Sequence, residues 1–160
     1  MFHFIDENDI LPKANLGEKI NYLDLRDSHN IPITVCYNEI DIEHTAYSFA
    51  QDFRSEEIKQ YFERMKTFSA KTINEIIDES NHNWHFYHTK IQGNIKRILS
   101  SINPEIIEAN PMIYHFALDI NNTNTADRTT ESRNPRVYFM VGYKGMIHPL
   151  FFDPYHEINP

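Results

Sequence analysis

Apolar residues recur at helical spacing through the middle of the chain, which predicts a run of helices there. The first helix begins at Ser55, whose side chain suits an N-cap, and the second begins at Ser69. A third apolar stripe ends at Asn103, and Pro104 then opens a short helix that ends near Ala109. The stripes consist of Ile58, Tyr61, Phe62 and Met65; Ile73, Ile76 and Ile77; and Ile91, Ile95, Ile98, Leu99 and Ile102.

Alternating or β-branched apolar stretches predict strands around these helices. The predicted strands are Ile31–Tyr37, His44–Ala50, Trp84–Ile91 and Met112–Ile120. Pro32 near the start of the first favours an edge position. A break in the helical pattern at 81–83 precedes the third. In the last one, alternation places His115 on the face opposite the large apolar side chains.

The C-terminal segment predicts a β-hairpin. Two apolar runs, Val137–Val141 and Met146–Phe152, flank the turn sequence GYKG. Pro149 removes a backbone donor, so the second strand lies at an edge or carries a bulge. Strict alternation would place His148 and Asp153 on opposite faces. The order of elements predicts an α+β fold: a mainly antiparallel sheet, two to four helices packed on one face, and the C-terminal hairpin.

Length and composition suit one domain over residues 1–160. The chain has 160 residues and 41% hydrophobic content, enough for a sizeable core. Its formal net charge of -8 argues against general affinity for nucleic acid. The acidic residues concentrate in the N-terminal part, 1–54, while 55–160 holds the helices, strands and hairpin. Residues 121–134 lack any large apolar side chain and predict a flexible loop.

The charge distribution leaves two interpretations open. Residues 1–57 carry 4 Lys/Arg against 12 Asp/Glu, whereas residues 58–100 carry 7 against 4. The acidic part is either a solvated surface or a segment that masks the basic middle. No run of about 18 apolar residues predicts a membrane helix. The N-terminus lacks the features of a signal peptide, and the single cysteine, Cys36, reads as a core residue, so a cytoplasmic location is expected.

Histidines are the main candidates for chemistry. His85 and His115 each lie between aromatic residues on predicted strands, and they would face the same side if those strands are neighbours. His148 and His156 lie in the C-terminal hairpin segment. Imidazoles titrate near neutral pH and therefore serve general acid–base catalysis. The alternative is coincidence in a chain with 9 histidines.

Other residues of the hairpin segment complete the candidate site. Asp153 is spaced to orient His156, although a strand-ending Asx turn is the alternative role for its carboxylate. Arg136, Lys144 and Tyr143 are candidates for substrate binding, because cationic and hydroxyl groups stabilise the charge on a reacting phosphate.

No cofactor is expected, because the phosphate-binding and dinucleotide-binding motifs are absent from the sequence. A metal site is not expected either. His82, His85 and His88 are spaced by three, but a strand would separate neighbouring members, and no zinc-ligand pattern accompanies them.

The C-terminal half resembles two groups of proteins. Paired helices followed by strands and a terminal hairpin, with basic and histidine side chains on the sheet, resemble the small RelE/ParE-type toxin fold over about residues 55–160. The block HPLFFDPYHEI, His148–Ile158, is similar to the C-termini of small uncharacterised proteins from bacterial and phage mobile elements. This chain is longer and more acidic than such toxins, and no catalytic residue is carried over.

Two functional hypotheses follow. The first is a small cytosolic bacterial or phage protein of toxin or defence type that cleaves RNA by metal-independent histidine chemistry. The alternative is a non-catalytic, antitoxin-like or inhibitor-like binding module that uses an acidic surface against a protein partner. An enzyme would gather its histidines in one place, whereas a binding module would scatter them. The sequence leaves open whether the chain is an enzyme and what its oligomeric state is.

Overall fold

The structure is a computed structural model. The residues it describes are 29–43, 46–50, 53–83, 85–118 and 133–158, without the side chains of 80–83 and 143. The helices are α1 (Ser55–Phe68), α2 (Ile73–Asn83), α3 (Gly93–Ile102) and α4 (Pro104–Ala109). The strands are β1 (Thr34–Val35), β2 (Tyr87–Thr89), β3 (Ile113–Ala117), β4 (Arg136–Val141) and β5 (Met146–Asp153).

The strands form one five-stranded sheet in the order β1-β5-β4-β3-β2. Every neighbouring pair is antiparallel except β1 and β5, which run parallel. A short 3-10 turn, Tyr143–Gly145, joins β4 and β5. The predicted α+β class, the mainly antiparallel sheet and the C-terminal hairpin are confirmed. None of the described helices is long and apolar enough to cross a membrane.

The helices are divided between the two faces of the sheet. One core joins residues of α1 and α2 to Tyr114, Phe116, Val137, Phe139, Val141 and Ile147. A second core joins residues of α3 and α4 to Ile113, Tyr138, Leu150 and Phe151. Successive residues of β3 and β4 alternate between the cores, so the cores lie on opposite faces. The predicted packing of the helices on one face is therefore corrected. The chain changes faces between α2 and α3, where it forms the edge strand β2.

Side chains at the helix starts explain where the helices begin. The second helix begins at Ile73 rather than Ser69, because Thr72 and Glu75 exchange side-chain hydrogen bonds with each other's backbone amides at 3.2 and 2.7 Å. The short α4 begins as predicted, with Asn103 accepting from the amide of Glu105 at 3.0 Å. The predicted break at 81–83 does not occur, since α2 runs to Asn83.

A β-bulge changes which residues of β5 share a face. Tyr138 pairs with Phe151 while Phe139 pairs with Pro149, so Leu150 is the extra residue. Beyond Leu150, the side chains of β5 again alternate between the two faces, but shifted by one residue. His148 and Asp153 therefore lie on the same face, in register with Met140 and Arg136. The bulge expected from Pro149 is confirmed, whereas the expectation of opposite faces is wrong.

Three other segments differ from their predictions. Residues 46–50 form turns rather than a strand. The segment 84–91 contributes only the three residues of β2. Most of the predicted loop 121–134 lies outside the described residues, as do residues 1–28 of the acidic part. The two described residues of that loop, Arg133 and Asn134, are buried and half-buried, and the Asn134 amide donates to the carbonyl of Pro154 at 3.2 Å.

Candidate functional site

His115 is the centre of a row of side chains that crosses the sheet on the face of the second core. The register pairs it with Tyr87 on β2 and with Tyr138 on β4. The ring centroids of these two tyrosines lie 5.9 and 5.1 Å from that of the imidazole. His115 is buried, and its Nδ1 lies 3.4 Å from Oγ1 of Thr89. Its position fits the predicted face opposite the large side chains of β3.

His85 and His156 join His115 from two different segments. The ring of His156 lies 6.2 Å from that of His115, centroid to centroid, and His85 lies 6.2 Å from the ring of Tyr87. Both histidines have left-handed backbones, with φ of 47° and 57°. Such conformations cost free energy for a residue with a side chain, and they concentrate at functional sites. Three of the four predicted catalytic histidines are thus brought together.

Burial and neighbouring cations determine the protonation of His115. Burial, followed by the charges of Arg136, His156 and His85, lowers the pKa of its imidazole to about 3. Burial, followed by Arg136, also lowers the pKa of His85. Since an unperturbed histidine titrates near 6.5, His115 is neutral at pH 7 and presents a nitrogen lone pair.

Arg136 supplies a buried positive charge beside these histidines. It is 4% exposed, and burial lowers the pKa of its guanidinium. Nη1 donates to the side chain of Asn134 at 2.5 Å and to the backbone carbonyls of Asn134 and Pro135. Its Nε and Nη2 donate to no described residue, and the guanidinium forms no ion pair within the described chain. Asp153, opposite Arg136 in the register of β4 and β5, forms no ion pair with it, but its charge raises the pKa of the guanidinium and partly offsets the effect of burial. A buried guanidinium with no direct ion pair can accept an anion.

Arg133, three residues earlier, shows how this protein satisfies a buried guanidinium. Its Nε and Nη2 donate to the two carboxylate oxygens of Glu57 on α1 at 2.6 and 2.7 Å. Both side chains are buried. This bidentate ion pair fixes the start of β4 to α1. Arg136, by contrast, forms no direct ion pair with a carboxylate of the described chain.

The carboxylate of Asp153 holds the terminal turn. It accepts from the backbone amides of Tyr155, Glu157 and Ile158 at 3.3, 3.1 and 2.9 Å. Burial raises the pKa of this fully enclosed carboxyl, and the three amides oppose that shift. These contacts match the Asx-turn alternative. Asp153 thereby fixes the backbone that carries His156, rather than accepting a hydrogen bond from its ring in any contact described here.

Three residues predicted for the site lie elsewhere. His148 pairs with Met140; burial lowers its pKa, and the charge of Glu39 opposes that shift. Its Nδ1 is enclosed without a hydrogen-bond partner among the described residues. Lys144 follows the far end of β4, whereas Arg136 begins that strand. The backbone of Tyr143 lies in the same distant turn. The hairpin therefore separates the predicted phosphate-binding residues.

Two tyrosines of the site were not predicted. Tyr138 is fully buried, its hydroxyl has no hydrogen-bond partner among the described residues, and burial raises its pKa. Tyr87 is 46% exposed. The signal that could have found them is strand pairing. Once β2, β3 and β4 are known to be neighbours, the side chains at paired positions lie side by side on one face of the sheet.

A cleft of about 320 Å³ adjoins the row of side chains. Thr89, which contacts His115, lines the cleft together with Lys90, the N-terminal residues of α3 and Ile158. In the described part of the chain, no group of three or more histidine, cysteine, aspartate or glutamate side chains is arranged to hold a metal ion.

Comparison with known proteins identifies no relative. No family model, curated protein or solved structure matches this chain. The site must therefore be interpreted from its own geometry.

Proposed function

We propose that this protein cleaves RNA by general acid–base chemistry at the cluster of His85, His115, His156 and Arg136. The observation that carries the proposal is the cluster around His115: His156 lies beside it, and His85 and the buried guanidinium of Arg136, which forms no ion pair in the described chain, are close enough to affect its pKa. A phosphodiester would bring negative charge to that guanidinium, and imidazoles would supply the proton transfers.

The reaction assigns one role to each group. The 2′-hydroxyl loses its proton to His115 and attacks phosphorus, while the bond from phosphorus to the 5′-oxygen breaks. His156, in its protonated form, donates a proton to the departing 5′-oxygen. The products are a 2′,3′-cyclic phosphate and a 5′-hydroxyl end. Arg136 stabilises the charge that develops on the phosphoryl oxygens, and His85 adds a third imidazole to the cluster.

The low pKa of free His115 limits its strength as a base. A base works best when its pKa is near the pH of the reaction, and about 3 is far below neutrality. Burial is the main cause of that low value and Arg136 the second, so a bound phosphate that offsets the charge of Arg136 moves the pKa upward, although the effect of burial stays. The proposal therefore predicts that His115 is a stronger base in the complex than in the free protein. NMR titration of His115 with and without inorganic phosphate measures this shift.

Cleavage of a fluorescent single-stranded RNA tests the proposal. We expect wild-type protein to yield cyclic phosphate ends, and H115A, H156A and R136Q each to lose at least about a hundredfold in rate. H88A is the matched control, because His88 is exposed and pairs with Tyr114 on the other face. Equal activity in H115A and H88A would refute the assignment. The broader hypothesis of a toxin or defence protein predicts that wild type, but not H115A, arrests growth when expressed in bacteria.

A protein-binding module remains the second candidate, on a different observation. Phe62 is 59% exposed on α1, and Ile58, one turn earlier, is also exposed. Exposed apolar side chains on one helix face favour a protein partner. Absence of RNA cleavage together with specific binding of a purified partner that F62S abolishes would favour this candidate.

A further inference from the structure

We infer that the substrate is single-stranded RNA and that Tyr87 stacks against a base next to the bound phosphate. This inference rests on the proposed function, because it assigns the substrate class to the same cluster. It begins from an unusual property of Tyr87: a large aromatic side chain of the site is 46% exposed, while the neighbouring His115 and Tyr138 are buried.

The position of Tyr87 connects an exposed ring to the reactive groups. It belongs to β2, the outermost strand of the sheet, and its ring lies 5.9 Å from His115 and 6.2 Å from His85. In the register, Tyr87 pairs with His115 and Arg136 pairs with Ala117, two residues further along β3 on the same face, so the two residues lie diagonally across the central strand. A base on this ring would therefore be attached to a phosphate near the guanidinium.

The depth of Arg136 selects against a duplex. Arg136 is 4% exposed, so a phosphate reaches its guanidinium only if the nucleic-acid backbone bends closely around it. A single strand is flexible enough for this approach, whereas the phosphates of a regular helix lie on a stiff outer surface. A duplex also keeps the faces of its bases stacked inside, where Tyr87 has no access to them. Aromatic stacking onto an unpaired base is a common mode of single-strand recognition.

Another exposed aromatic residue near the cluster is less suited to stacking. Tyr155 directly precedes His156 and is 39% exposed. The guanidinium of Arg133 lies 5.1 Å from the centre of its ring and donates to its hydroxyl at 3.4 Å. One face of Tyr155 is thus already occupied, so Tyr87 is the position that the test addresses.

Fluorescence anisotropy with a short 2′-O-methyl RNA tests the inference, because this RNA binds but has no free 2′-hydroxyl to react. We expect Y87A to weaken binding of the single strand about tenfold, and Y87F to remain within about twofold of wild type. Y37A is the matched control: Tyr37 is 43% exposed but lies next to β1, at the opposite edge of the sheet. The same RNA annealed to its complement should bind weakly to every variant.

The outcomes separate the two proposals. One outcome is that wild type binds tightly, R136Q binds more weakly, and Y87A binds as well as Y37A. This outcome would overturn the stacking role and leave the RNA-cleaving function intact. Duplex binding as tight as single-strand binding would overturn the substrate class. If wild type binds neither RNA and cleaves none, the proposed function fails, and this inference fails with it.

Discussion

At the residue scale, Arg133 and Arg136 are compensated differently. Arg133 forms a bidentate ion pair with the carboxylate of Glu57, whereas Arg136 donates hydrogen bonds only to neutral oxygens and interacts with the charge of Asp153 without a direct ion pair. Removing one member of a buried ion pair leaves the other uncompensated, but replacing a buried charge that has no direct ion pair also removes its desolvation cost.

This contrast predicts the effects of two matched substitutions. R133M should lower the free energy of unfolding by about 3 kcal/mol, whereas R136M should change it by less than about 1 kcal/mol while abolishing RNA cleavage. Urea denaturation in a buffer without phosphate measures both. A loss of stability in R136M as large as that in R133M would mean that Arg136 is a structural residue.

His148 is expected to act through packing at the hairpin turn. A Cβ added to Gly142 would lie 2.8 Å from Nε2 of His148, which is shorter than van der Waals contact allows. G142A should therefore destabilise the protein by about 1 kcal/mol, because the half-buried imidazole must turn away. In an H148A background the same substitution should cost much less, and a double-mutant cycle measures the coupling. Additive losses would show that the two residues are not in contact.

At the scale of elements, the terminal turn depends on one carboxylate. Asp153 accepts three backbone hydrogen bonds from the turn that carries His156. D153A should lower the free energy of unfolding by about 2–3 kcal/mol, and the loss should be smaller in D153N, which retains one acceptor oxygen. Urea denaturation gives the stability, and NMR shifts of His156 report the turn. D78N, at an exposed position of α2, is the control and should change neither.

The elements also show what the sequence could predict. The spacing of apolar residues predicted α1, α3, α4, β3 and the hairpin. Each of these elements buries one stripe or face of apolar side chains, and that pattern is visible within the element's own sequence. The bulge at Leu150 could not be placed, since it depends on how β4 and β5 pair. The division of the helices between two faces depends on where the chain passes the edge at β2. The clustering of His85, His115 and His156 could be predicted only in part. The positions of His85 and His156 depend on left-handed backbone conformations in irregular segments, which the sequence pattern does not indicate.

At the scale of the whole molecule, acid sensitivity follows from His115. Its folded-state pKa of about 3 lies below the value near 6.5 for an unfolded chain. Between these values the unfolded state binds the extra proton, so stability is full above about pH 6.5 and decreases as the pH falls toward 3. The lowered pKa values of His85 and His148 act in the same direction.

The histidine contribution predicts a measurable difference between variants. In the wild type, the free energy of unfolding should fall as the pH decreases from about 6.5 to about 4. H115F should reduce the slope of this fall by about 1.4 kcal/mol per pH unit, which is the contribution of one proton. The slope that remains belongs to the other titrating groups. Urea denaturation at several pH values measures it, with H88A as the comparison. Identical slopes for wild type and H115F would contradict the low pKa of His115.

The parallel pairing of β1 with β5 has a consequence for biosynthesis. The first described strand joins the last one, so almost the whole described chain lies between the two partners. Contacts of such long sequence separation form slowly. On a ribosome, β1 emerges long before its partner and must wait unpaired while the helices and the central strands are made. The sheet therefore acquires this edge only after the hairpin has been released, which makes late synthesis the stage at which chaperones have most to protect.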